Sequence, residues 1–193
     1  MTRGRVALLG LLVALAALAA WIMIVGIAWW SRPAPPVAVV STPTADPVGR
    51  KIKARLFYVA DDGLHLTSVE RDVPYAGQTS DEAREIINAQ IAPVTLPLVS
   101  AIPAGTTLRA LYLTPTGEAF VDLSLDVATA HPGGSQNELL TIYTVVHALT
   151  INLPAITSVQ LLVDGKEADT LAGHVDLRRP LAKHLQLIVE PQP

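Results

Sequence analysis

The sequence predicts an α+β domain in the order β-β-α-β-β-α-β, a sandwich with two helices on one face of a mostly antiparallel sheet. Two short-turn signatures between β-prone runs and two helical runs opened by Ser or Thr with Glu three residues on predict it. So does a last β-rich run after the second helix.

Lys51 to Ala60 alternates as a strand entering a core, and Asp61-Asp62-Gly63 is a tight-turn signal, so Leu64 to Asp72 reads as the returning strand, ended by Pro74. Thr79-Ser80-Asp81-Glu82 has the spacing of a capping box, in which the Thr79 side chain and Glu82 satisfy otherwise orphaned N–H groups. Ala83, Ile86, Ile87 and Ile91 follow at helical spacing until Pro93 stops the run. An apolar, proline-broken loop covers Val94 to Pro103. Thr107–Leu113 and Glu118–Ser124, joined by Thr114-Pro115-Thr116-Gly117, form a second hairpin. Ser135 and Glu138 make another capping box after Gly133-Gly134. Leu139, Ile142, Tyr143, Val146, Leu149 and Leu153 then line one helical face. Leu140 and Ile151 widen that face, which predicts burial on most sides or a partner on one of them. Pro154 ends the helix, Ser158 to Val163 is the last strand, and Asp164-Gly165 closes it.

Four segments follow: a transmembrane signal anchor over 1–30, a proline-rich linker over 31–50, the α+β domain over 51–182 and a tail over 183–193. Val6 to Trp30 carries no charged side chain. A helix of that length rises about 37 Å, enough to cross a hydrocarbon core of about 30 Å. The run outlasts a signal-peptide core of about 7–15 residues. Trp29 and Trp30 suit the exit interface, and Arg3 and Arg5 favour an N-inside orientation that leaves the domain outside the cytoplasmic membrane. The five prolines between Ser31 and Pro47 favour an extended spacer.

The chain has 193 residues, a net charge of −3 and no cysteine, which gives no electrostatic case for nucleic acid and excludes disulfides and thiolate metal sites. His65, His131, His147, His174 and His184 lack metal-ligand spacing, so no metal or cofactor is expected. His174 and Asp176 lie two apart in a loop, and His147 sits at the edge of the apolar helix face as a structural histidine. Asp122, Asp126 and Glu138 are the carboxylates a glycoside hydrolase would need, but they read more simply as an outward strand residue, a strand-end residue and a helix cap. Gly133-Gly134-Ser135 lacks the G-x-S-x-G of a nucleophile elbow. No catalytic, cofactor or metal residue is therefore assigned.

Six blocks in order resemble the GerMN domain family. They are Leu98–Leu108, Ala119–Ser124, Gly133–Glu138, Ile142–Thr150, Val159–Gly165 and Leu171–Leu177, and the likeness covers about residues 52–182. The resemblance implies a fold similar to ring-building motifs, a membrane-tethered extracytoplasmic domain, a place in sporulation or germination, and no established catalytic residues. It carries one copy where the family's namesake has two. The expectation is a non-enzymatic scaffold or binding module of the bacterial cell envelope, inserted in the membrane through residues 6–30. Its partner would be a protein, a second copy through a sheet edge or the broad face of the second helix, or peptidoglycan. The rival expectation is an envelope-polymer hydrolase, or an accessory factor to one, using Asp122, Glu138 or His174.

Overall fold

A computed structural model of the chain describes Trp21 and residues 49–190. The anchor and linker expected over 6–50 lie outside these residues apart from Trp21, Gly49 and Arg50. Among the described residues, no helix is long and apolar enough to cross a membrane.

The first hairpin pairs β1 (Lys51–Val59) with β2 (Leu66–Pro74), antiparallel, from Lys51 opposite Pro74 to Val59 opposite Leu66. Its turn is fixed by Asp62, whose carboxylate accepts the Leu64 and His65 N–H groups at 2.8 and 3.0 Å and meets the His65 ring at 2.6 Å. Helix α1 (Thr79–Ile91) follows, then β3 (Leu108–Leu113) and β4 (Glu118–Leu123), a one-turn helix α2 (Asp126–Thr129), and the long helix α3 (Ser135–Thr150). After α3 come β5 (Ser158–Val163), the two-residue strands β6 (Lys166–Glu167) and β7 (Leu181–Ala182), and a 3-10 turn at Leu185–Leu187. The α+β class and the seven predicted elements are all present, in the predicted order.

The strands divide between two sheets. β1 and β2 stand alone, while the second sheet runs β3-β4-β5-β6, with β7 also on β5. β3 and β4 are antiparallel, but β4 and β5 are parallel, because the chain crosses over through α3 between them. α1 and α3 pack on each other, and each also packs on both sheets: α1 meets β1, β2 and β3, and α3 meets β1 and β5. That position accounts for the wide apolar sector of α3. Leu140, Ile142, Val145, Val146 and Leu149 are all buried within the chain, together with Thr141 and Thr144. Most of the broad face of this helix is closed by the domain itself, with Tyr143 and Ile151 partly buried at its margin.

Neither capping box forms. α1 is capped at Gln78 and α3 at Gly134, both without a side-chain cap bond, so Thr79 and Ser135 are each the first helical residue. Gly134 enters the helix at φ 86°, where the backbone turn replaces the expected serine cap.

The second hairpin turn rests on Gly117, at φ 85°, whose carbonyl accepts the Thr157 N–H at 2.8 Å. A Cβ there would stand 2.5 Å from the Ala155 carbonyl oxygen. Gly117→Ala is expected to lower stability by about 1–2 kcal/mol, through both the positive φ and this clash. Chemical denaturation measures it, and an unchanged midpoint would contradict the turn geometry.

Candidate functional site

The most concentrated polar chemistry in the domain surrounds Glu138. This side chain is completely buried one turn inside α3. One carboxylate oxygen accepts the Leu171 and Ala172 N–H groups at 2.8 and 2.9 Å. The other accepts the His174 N–H at 2.8 Å and lies 3.1 Å from His174 Nδ1. Burial pushes this carboxyl up, and the backbone N–H groups of Ala172, His174 and Leu171 outweigh it, leaving Glu138 below its ordinary value. The carboxylate is thus the anchor of the loop 171–174. It is not a helix cap, which corrects the expectation: its partners lie 33 to 36 residues downstream.

His174 is brought to Glu138 and not to Asp176, which instead pairs with Arg178 at 2.8 Å. The Arg178 side chain and N–H hold the Asp176 carboxyl well below the usual range. Asp122 is buried where an outward strand residue was expected. It accepts the Gly165 N–H at 2.7 Å and pairs with Arg109 at 3.3 Å, while Arg109 also pairs with Asp164, a residue held at φ 53°. This cluster fastens the turn after β5 to β4. Asp126 accepts the Ser124 hydroxyl at 3.0 Å. The three carboxylates therefore have separate partners. No hydrogen bond or ion pair joins one to another among the described residues.

The remaining histidines also hold loops. His131 Nδ1 accepts the Gly133 N–H at 2.9 Å, and its Nε2 lies 3.2 Å from the Thr141 hydroxyl, which donates to the Ala101 carbonyl at 2.6 Å. His147 is fully buried beside Phe57 and Tyr143, and its Nε2 accepts the His184 N–H at 3.1 Å. Burial pushes this imidazole down to about 4. Among the described residues, no group of three or more His, Asp or Glu is placed to hold a metal ion.

Sequence reasoning missed two side chains that shape the surface available to partners. Gln90 Oε1 accepts the Phe57 N–H and its Nε2 donates to the Phe57 carbonyl, both at 2.8 Å. Asn152 does the same for Arg55, again at 2.8 Å, and the Val59 N–H donates to the Val99 carbonyl at 2.9 Å. Two side-chain amides and one loop carbonyl thus occupy the outer edge of β1, as a neighbouring strand would. The only sequence signal was an amide at the end of each helix. Gln90→Met would leave both Phe57 groups buried and unpaired, with an expected loss of about 2 kcal/mol. The same denaturation midpoint at both residues would count against the pairing.

Comparison with known proteins adds the following. Residues 55–169 match the Germane family model, described as sporulation and spore germination. A Clostridium perfringens protein described as a candidate lipoprotein is 20% identical, with a TM-score of 0.50 over 72% of this chain and 92% of that one. The tandem GerMN domains of the sporulation protein GerM from Bacillus subtilis are 16% identical, with a TM-score of 0.54 over 69% of this chain. The match spans 46% of that tandem chain, so it is less than half its length. At these identities the two structures share the fold with this chain. No curated protein matches it.

Proposed function

This chain belongs to the Germane family of sporulation and spore germination domains, and from that membership we propose a membrane-tethered binding module of the bacterial cell envelope without chemistry of its own. The observation that carries this reading is the state of Glu138. A buried carboxylate that already accepts three backbone N–H groups and faces the His174 ring has no capacity left to activate water or protonate a leaving group. Asp122 is similarly engaged by Arg109 and Gly165. Tethering rests on the uncharged run Val6–Trp30 and its flanking Arg3 and Arg5. The fold likeness to a candidate lipoprotein supports an envelope location by a different anchor.

With most of the broad face of α3 closed, contact with a partner falls to loops and strand edges. Protease added to the outside of spheroplasts tests the placement. Digestion of the domain is the expected result, and a domain left intact while an external control is cut would overturn it. Against the hydrolase alternative, Glu138→Ala should lower stability before it lowers anything else. A variant of unchanged stability that lost an envelope-hydrolase activity would reverse the reading.

A further inference from the structure

We infer that the outer edge of β2, from Ser68 to Asp72, takes up an extended, lysine- or arginine-bearing segment of a partner protein as an added strand. This rests on the binding-module reading and names the kind of partner.

The pairing parity sets which groups are free. Ala60 N–H bonds His65, and Tyr75 N–H bonds Arg50. The alternate residues of β2 between these pairs, Thr67, Val69, Arg71 and Val73, therefore bond β1. Leu66, Ser68, Glu70 and Asp72 point their backbone groups away from β1. Leu66 is used: its carbonyl accepts the Val189 N–H at 2.9 Å, and Ile188 lies beside it in a parallel bridge. Beyond it, the backbone groups of Ser68, Glu70 and Asp72 have no partner among the described residues.

The other edges are closed, broken or shorter, β1 lacking outer partners among the described residues only at Lys51 and Lys53. On β1, the groups of Arg55, Phe57 and Val59 are taken by Asn152, Gln90 and Val99. On β3, the Leu111 carbonyl accepts from Arg84 at 2.7 Å, and a register shift between Leu108 and Ala110 interrupts the strand. On β5, the far side carries β6 and β7. The Ser68–Asp72 edge is the longest contiguous run left unpaired among the described residues.

Charge chooses the occupant. A groove of about 720 Å³ beside this edge is bordered by Asp61, Asp62, Glu70 and Glu190, with no Lys or Arg in its lining. Two cations lie on the edge itself and are already engaged there, Lys53 with Asp72 at 2.7 Å and Arg55, which donates to the Ser68 hydroxyl at 3.0 Å. The charge left for a partner is therefore that of the groove carboxylates. A second copy is disfavoured. Antiparallel pairing of two β2 edges about Glu70 sets Glu70 against Glu70, and like charges directly opposite destabilise a sheet. A strand with Lys or Arg at alternate positions gains the backbone ladder and meets the carboxylates with the same face.

The test uses the full chain solubilised in detergent and a labelled Lys-Val alternating heptapeptide, with binding read by fluorescence anisotropy. Amide hydrogen exchange locates the site. The expected result is binding that protects the Ser68, Glu70 and Asp72 amides, weakens as salt rises, and falls about tenfold with Glu70→Lys. Alternate N-methylation of the peptide, which removes its ladder donors without touching the protein, should abolish it. Equal binding of the N-methylated peptide, or no change in exchange at those three amides, overturns the proposal. So does concentration-dependent self-association of the chain that protects the same amides, since a second copy would then hold the edge. None of these results bears on membrane placement, which the spheroplast digestion decides separately.

Discussion

Replacing Glu138 with alanine is expected to cost the domain about 3–5 kcal/mol, a large share of the stability of a domain this size. The substitution strands three backbone N–H groups, those of Leu171, Ala172 and His174, in a region where water does not reach the carboxylate they lost. Each unsatisfied buried donor costs about 1–3 kcal/mol, and relaxation of the loop toward solvent recovers part of the sum. Glu138→Gln separates the contributions. Its oxygen can keep the Leu171 and Ala172 bonds, while its NH2 turns a donor toward the His174 N–H, so about half the loss should remain. Urea denaturation gives the magnitude, and hydrogen exchange gives the place: the amides of 171, 172 and 174 should lose protection first. An alanine variant with an unchanged midpoint would remove Glu138 from its role as anchor. The pH dependence has a definite sign. The folded carboxyl lies below its ordinary value, so its stabilisation is complete above the ordinary carboxylate range and is lost as pH falls through the folded value.

The same residue shows where local reading of a sequence stops. Strands and hairpins were legible because period-two alternation, Asp-Gly and Pro-x-Gly turns act over a few residues; Ser158–Val163 was placed to the residue. The burial of α3 was legible in the width of its apolar sector, although not that both sheets cover it. The capping-box spacing Ser135–Glu138 was present yet misleading. Consecutive glycines brought the chain into the helix through φ 80° and 86°, which freed the glutamate for a partner loop that no local pattern could point to. Asp122 failed in the same way, since alternation placed it outward, while Arg109 and the Gly165 turn hold it inside. Gln90 and Asn152 offered nothing beyond an amide at a helix end, because their partners are backbone groups of a strand 33 and 97 residues away. Buried polar residues are specified by whichever distant donors they satisfy, and that information resides in tertiary structure.

The second large effect concerns acid. The wild-type domain should lose about 2 kcal/mol between pH 7 and pH 5 and about 3 kcal/mol by pH 4 through His147 alone. Its ring is fully buried between Phe57 and Tyr143, at centroid distances of 5.5 and 5.4 Å. Because Nε2 accepts the His184 N–H, the ring proton sits on Nδ1, and that atom has no partner among the described residues. A second proton would have to go to Nε2, turning the acceptor of the His184 bond into a donor facing a donor. Burial accordingly pushes the imidazole from 6.5 down to about 4. The unfolded chain binds the proton near 6.5 and the folded one refuses it until about 4, so across that window protons favour the unfolded state. The contribution is complete above the upper value and lost on descent to the lower, a range lying above that of Glu138. His147→Gln keeps an oxygen acceptor close to the Nε2 position and cannot titrate. Urea denaturation of both proteins at pH 7, 6 and 5 should show a steep loss in the wild type and a nearly flat profile in the variant, whatever their difference at pH 7. Equal slopes would mean that the buried ring is not what the acid attacks. The segment tied down by the His184 bond also carries Val189 to Leu66, so its amides should lose exchange protection over the same pH range in the wild type and keep it in His147→Gln.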